Sequence, residues 1–246
     1  MKEGEPKRAV RWAAVIGGIL IAAAIIALYT PWVRIFDLRE IVVSGNHYTS
    51  AAEIRDATGI QDGVNIVRAS LRQARTSLLH LPWVMDASLR RVLPHTIAIR
   101  VRERKPIAFV LDSHSERLMI LGEDGVIVGY TKDEGADYVR VRGVSLSRTA
   151  SGRQTVSEDV MRTLNYLRDR GLGRDIFPSI DFSDPAAITM HTADDGEVLL
   201  GPLSETKDRI DELVALLDTI DLAAYKTIDL RFGGEARLVP RKVVNR

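Results

Sequence analysis

The sequence predicts an α+β protein: one apolar N-terminal helix, a β-α-α-β-β module, then a β-rich region with two helices packed on a mostly antiparallel sheet. Three observations predict it. Residues 13–29 (AAVIGGILIAAAIIALY) hold no charge. Between residues 36 and 106, two segments with helical apolar spacing stand among segments that alternate as strands do. Beyond 106, short apolar runs are divided by Asp124-Gly125 and by Asp194-Asp195-Gly196, both turn signals.

The uncharged run extends from 12 to 33, between Arg11 and Arg34. As a helix it is about 33 Å long, against a hydrocarbon core of roughly 30 Å. It has no polar face, as a surface helix would. It is longer than the apolar part of a cleaved signal peptide, and it exits through Leu28-Tyr29-Thr30-Pro31-Trp32, which lacks the small residues of a cleavage site. We therefore read 12–33 as an uncleaved transmembrane helix. Arg11, Trp12, Trp32 and Arg34 are its membrane-interface residues, because amphipathic rings and flanking cations favour the headgroup level. The tail, 1–11, carries Lys2, Lys7, Arg8 and Arg11 against Glu3 and Glu5. The positive-inside rule keeps such a tail cytoplasmic and places the C-terminal bulk outside the cytoplasm.

Composition narrows the function classes. Of 246 residues, 34 are Lys or Arg and 33 are Asp or Glu, for a net charge of +1, and 46% are hydrophobic. A disordered chain would be poorer in apolar residues and more highly charged. A general nucleic-acid binder would carry a basic excess. The chain has no Cys, which removes disulfides, a thiolate nucleophile and Cys metal sites and suits an oxidising compartment.

In the module at 36–106, Leu38–Ser44 is β-rich and stops at Gly45-Asn46. Ser50 and Glu53 form a capping box for a short helix that Gly59 ends. Val67, Leu71, Ala74 and Leu78 share one face of a second helix, ended by Pro82. Trp83–Val92 is a strand, Leu93-Pro94 a break, and Ile97, Ile99 and Val101 alternate in a third strand that closes at Lys105-Pro106. Arg100, Arg102 and Arg104 fall on its other face, and with Arg90, Arg91 and Lys105 they make a cationic set. The plain reading is a solvated face; a protein-docking face or contact with anionic headgroups are the functional ones.

A single span followed by FDLREIVVSGN, two helices and LPWVMDASLRRVLPHTIAIRVRERKPIA resembles the bacterial cell-division family FtsQ, called DivIB in Gram-positive bacteria. The residues that carry the resemblance are Val43-Ser44-Gly45-Asn46, Leu81-Pro82-Trp83-Val84, Ala87, Arg90, Pro94, Ile97, Ile99, Val101, Glu103-Arg104 and Pro106. It implies that 36–106 is a POTRA domain, the polypeptide-transport-associated fold. POTRA domains also precede outer-membrane barrels, but those need a long run of alternating strands, and only about 140 residues remain here.

From 107 to 240 the pattern turns to hairpins. Ile107–Leu111 and Arg117–Leu121 read as strands, Asp124-Gly125 as a type I′ turn, and Tyr138–Arg142 as a further strand. A helix opens at Ser157 with Glu158 and Asp159 in its first turn and a stripe of Val160, Leu164 and Leu167; Gly171 stops it. Strands recur at Ser179–Phe182, Ala187–His191 and Glu197–Leu200. A longer helix starts near Ser204 and turns Ile210, Leu213, Val214, Leu217 and Ile220 inward. The last strand is Lys226–Phe232, with Ile228, Leu230 and Phe232 on one face, and 241–246 is a tail. This half resembles the β domain that follows POTRA in the FtsQ family, with Ile228-Asp229-Leu230-Arg231-Phe232 matching a family strand that usually ends in Tyr.

Catalytic patterns are missing from the sequence. The histidines, at 47, 80, 95, 114 and 191, make neither His-x-His nor His-Glu-x-x-His. There is no Gly-x-Ser-x-Gly elbow, and Gly171-Leu172-Gly173 reads as a helix stop. Asp184, Asp194 and Asp195 read as turn residues. We expect no catalysis, cofactor or metal. A strand at a sheet edge can accept a partner's strand. The resemblance implies that Ile228, Asp229, Leu230, Arg231 and Phe232 receive FtsB of the FtsB–FtsL pair. It also implies that the POTRA domain meets other divisome members, and that the protein is a non-catalytic single-pass scaffold at the septum of the inner membrane, linking early and late division proteins and helping control septal peptidoglycan synthesis. The rival readings are a POTRA scaffold for secretion or outer-membrane biogenesis and a membrane-tethered cell-wall enzyme.

Overall fold

The structure, a computed structural model, describes residues 5–29, 34–112, 117–132 and 138–241. It divides into two compact units, Met1–Glu103 and Arg104–Arg246. The fold is mixed α+β.

Helix α1 runs Glu5–Tyr29. Its side chains are described only at Trp12 and 15–26, fewer than the roughly 20 a bilayer needs. Among the described residues no helix is long and apolar enough to cross a membrane. Residues 30–33 of the expected span, Trp32 included, and the side chain of Arg11 lie outside the described residues. Trp12 and Arg34 are exposed.

The rest of the first unit is β1 (Glu40–Ser44), α2 (Ala51–Ala57), α3 (Leu71–Leu78), β2 (Val84–Val92) and β3 (Thr96–Glu103). The sheet order is β1-β3-β2, with β1 parallel and β2 antiparallel to β3. Ile41, Ala87, Ile97, Ile99 and Val101 turn to the buried face and meet Ile54 of α2 and Leu78 of α3. Ser50 and Ser70 each cap a helix by accepting an N–H from the residue three positions on. Because Ser70 opens α3, Val67 falls outside the helix and is exposed, contrary to the expected stripe; only Ala74 and Leu78 of that stripe are fully buried.

Two contacts fix the loop after β1. Gly45 has φ +83°, and a Cβ there would stand 2.2 Å from the Val101 carbonyl oxygen. The Glu103 carboxylate accepts the backbone N–H groups of His47, Tyr48 and Thr49 at 2.6, 2.7 and 2.8 Å. Burial pushes its pKa up, but these three donors outweigh that and hold it below the usual glutamate range. The expected solvated row of arginines is shorter than alternation suggests. Arg100 and Arg102 are exposed, but β3 ends at Glu103, and Arg104 is 3% exposed, its Nε donating to Asp124 Oδ2 at 2.8 Å.

The second unit carries β4 (Pro106–Leu111), β5 (Leu118–Gly122), β6 (Ile127–Thr131), β7 (Val139–Arg142), β8 (Ser147–Arg148), β9 (Gln154–Thr155), α4 (Glu158–Asp169), β10 (Ser179–Asp181), β11 (Ile188–His191), β12 (Glu197–Gly201), α5 (Thr206–Leu217), β13 (Tyr225–Asp229) and β14 (Arg237–Pro240). Nine strands form one sheet in the order β14-β13-β12-β11-β10-β7-β4-β5-β6, and β8 and β9 pair separately. The sheet is mixed: β4–β7, β7–β10 and β12–β13 pair in parallel. For two of these pairs the reason is a helical crossover: α4 lies between β7 and β10 in the chain, and α5 between β12 and β13, and a crossover through a helix returns the strand in the same direction. For β4–β7 the antiparallel strands β5 and β6 make the connection. Val160, Leu164 and Leu167 of α4 and Ile210 and Leu213 of α5 bury against Val141, Ile180, Met190, Val198 and Ile228.

The first hairpin turn also differs. Gly125 has φ +80° and donates its N–H to the Gly122 carbonyl, but Asp124 keeps a negative φ. A type I′ turn needs positive φ at both central residues, so this is not one.

Candidate functional site

The segment singled out by sequence lies next to the sheet edge and does not form it. Strand β13 pairs with β12 on one side and β14 on the other. The edge is β14, and Lys226–Phe232 is not the last strand. Ile228 and Leu230 are core residues, with the Leu230 N–H donating to the Leu199 carbonyl at 2.9 Å.

The strand ends at Asp229 for a local reason. Asp229 Oδ1 accepts the backbone N–H of Arg231 at 3.1 Å, a side-chain turn that competes with extended structure. The Arg231 guanidinium closes on the same carboxylate at 2.9 and 2.7 Å. That bidentate hydrogen bond is the main cause holding the Asp229 carboxyl below its usual range, and the pair raises Arg231 in turn. Gly233 and Gly234, both at positive φ, then reverse the chain into β14. Alternation therefore stops at Asp229. Phe232 leaves the core face and is 54% exposed.

The pairings Ile228↔Leu238 and Asp229↔Arg237 set the faces of β14. Leu238 packs on the core, while Arg237 and Val239 turn to the other face and are exposed. The Arg237 guanidinium lies 4.3 Å from the centre of the Phe232 ring, within cation–π reach. Pro240, which has no N–H, belongs to this outer strand, where a missing donor breaks no inner pairing. Glu212 of α5 accepts from the Gly234 N–H at 3.2 Å and from Arg209 at 2.8 Å, which ties the β13–β14 turn to the helix beneath. The result is a short edge with one apolar side chain, Val239, an aromatic, Phe232, and cations at 231 and 237. Sequence reasoning missed Arg237 and Val239. Gly233-Gly234, a turn dipeptide followed by the β-prone Leu238-Val239, was the signal available.

Among the described residues no group of three or more His, Asp or Glu side chains could hold a metal ion. Tyr166 donates to Asp211 at 2.6 Å, and that bond raises its pKa above the ordinary phenol value, opposite to what a general base near neutral pH requires.

Similarity to known proteins converges on one family. Residues 36–104 match the FtsQ-type POTRA domain. The cell division protein FtsQ of Geotalea daltonii is 25% identical over 94% of this chain and 87% of its own length. FtsQ of Corynebacterium glutamicum is 26% identical over 63% of this chain and 67% of its own. The cell division protein DivIB of Clostridium acetobutylicum is 26% identical over 48% of this chain and 47% of its own, so the alignment spans about half of that relative. The β-α-α-β-β module, the β-rich second unit and these relatives agree: residues 36–104 match an FtsQ-type POTRA domain, and the chain is similar to FtsQ and DivIB cell-division proteins, in one case over 94% of its length.

Proposed function

We propose that this protein is a non-catalytic, single-pass membrane scaffold of the bacterial divisome, receiving FtsB of the FtsB–FtsL pair at the β13–β14 edge of its second unit. In this reading residues 12–33 span the inner membrane at the septum, the tail 1–11 is cytoplasmic, and 36–106 and 107–240 are the extracytoplasmic POTRA and β domains. The POTRA domain meets other divisome members, and occupancy of the edge helps control septal peptidoglycan synthesis. Interaction does the work, with no covalent step.

The observation that carries the reading is the sheet edge. Among the described residues β14 has a partner strand on one side only, so its other side can take an added strand, which gains main-chain hydrogen bonds along its length. Phe232 and Val239 offer apolar contacts and Arg231 and Arg237 offer charge at that edge, while Ile228, Asp229 and Leu230 hold β13 in place beneath it.

The test is a pull-down of full-length protein from membranes by an FtsB-type partner. Phe232→Glu should abolish capture while leaving the fold intact, because the ring is solvent-facing. Capture at full strength with a native circular-dichroism spectrum would contradict the assignment of the edge.

A further inference from the structure

A second exposed surface stands at the opposite kind of place, the end of the first unit nearest α1. Because β1 is parallel to β3, with Glu40 opposite Thr96, both strands begin at the same end of the sheet. The β2–β3 turn at 93–95 is there too. The Arg39 N–H donates to the His95 carbonyl at 2.9 Å. The loop before α3 joins them: the Leu38 N–H donates to Val64, and the Ile66 N–H to Phe36, both at 2.9 Å. Arg91 clamps the assembly through the Ile66 and Ala69 carbonyls at 2.6 and 2.7 Å.

This knot of three segments buries Leu38, Ile66 and Ala69 but leaves other apolar side chains outside. Leu93 is 63% exposed and Ile35 60%, and Val64, Val67 and Val92 are exposed beside them. Within 34–40, 60–69 and 90–96 there are five arginines against three carboxylates. The Arg91 bonds go to backbone carbonyls and leave its charge uncompensated by an acid. Only four residues lie between Tyr29, the last of α1, and Arg34, a reach of at most about 18 Å.

We propose that this tip is a membrane-contacting surface: Leu93, Ile35 and Val67 enter the headgroup layer of an anionic bilayer, and the surrounding arginines face its phosphates. The inference rests on the reading of α1 as the membrane span. Apolar side chains ringed by cations bind such an interface by burying the former and attracting the lipid charge with the latter. The tether favours the bilayer as occupant, since it holds the tip within reach of the lipid surface at which α1 ends. Contact there would orient the POTRA domain on the membrane.

The absence of native cysteine allows single-site fluorescent labels. Full-length protein carrying Leu93→Cys, Ala52→Cys or Leu20→Cys is reconstituted in phosphatidylcholine vesicles with or without a quarter phosphatidylglycerol, using lipids brominated near the headgroup or deep in the chains. Position 52, on α2, serves as the solvent control, and position 20 reports insertion of α1. We expect deep quenching at 20, and shallow quenching at 93 several-fold above that at 52 in the anionic vesicles. Ile35→Glu with Val67→Glu in the Leu93→Cys protein should bring 93 down to the level of 52, which separates tip binding from insertion of the dye itself. Quenching at 20 with none at 93 above control would overturn the inference and leave the membrane span standing. No quenching at 20 would overturn both. Equal quenching at 93 in the two lipid mixtures would overturn the role given to the arginines.

Discussion

The first unit exposes Ile35, Val67 and Leu93 from three segments whose backbone groups bond mainly to one another, whereas the second exposes Val239 on a strand with one open side, with Phe232 next to it. The first surface offers side chains and charge without a backbone ladder, so it can select for apolarity and sign but not for register. The second offers a ladder, which fixes direction and alternation in whatever pairs with it. The contrast teaches that exposed apolar residues beside arginines do not define one kind of site. The bonding state of the backbone beneath them separates a surface suited to lipid from one suited to an extended peptide.

The comparison assumes that each unit holds its surface with its own core, and the largest expected effects test that assumption. Phe177 is fully buried in the second unit, so Phe177→Ala should cost about 3–5 kcal/mol. Ile54, fully buried in the first, should cost about 2–5 kcal/mol when changed to Ala. Hydrogen exchange followed by mass spectrometry along a urea series should show each change accelerating its own unit and leaving the other in place. Loss of protection in both units from either change would break the comparison.

A smaller effect is expected at Gly45. Gly45→Ala forces a side chain onto the Val101 carbonyl in a left-handed conformation, and we expect a loss of about 1–3 kcal/mol in the first unit. The same experiment reads it, and an unchanged midpoint would contradict the close approach.

The smallest effect sharpens the edge itself. The folded pKa of Asp229 is depressed, so its bond to Arg231 contributes stability at pH above the ordinary value near 3.8 and loses it as pH falls through the lower folded value. Asp229→Asn should therefore speed exchange at 230–232 at neutral pH, and the difference from the unaltered protein should vanish once acid protonates Asp229. A difference that persists unchanged in acid would show that the carboxylate does not set the turn.

Legibility followed range. The POTRA elements could be read because their signals are local: Ser50 caps its helix, Ile97, Ile99 and Val101 alternate, and Gly45-Asn46 ends a strand. Arg104 misled because alternation was carried past the last strand residue, and Val67 because an apolar spacing began before the capping serine. In the second unit most strands up to β13 lie close to where the sequence places them, but β8, β9 and β14 were not read, and the parallel joins and the order β12-β13-β14 depend on packing between segments far apart in sequence, which periodicity does not encode. The segment at 228–232 drew attention through family likeness. Its burial at Ile228 and Leu230, and the turn by which Asp229 frees Phe232, required coordinates.

The most direct test of the central claim is hydrogen exchange on full-length protein in lipid nanodiscs, with and without an FtsB-type partner. The account predicts slowed exchange confined to 230–232 and 237–239 when the partner binds. Binding that leaves β14 exchanging at its free rate would contradict it.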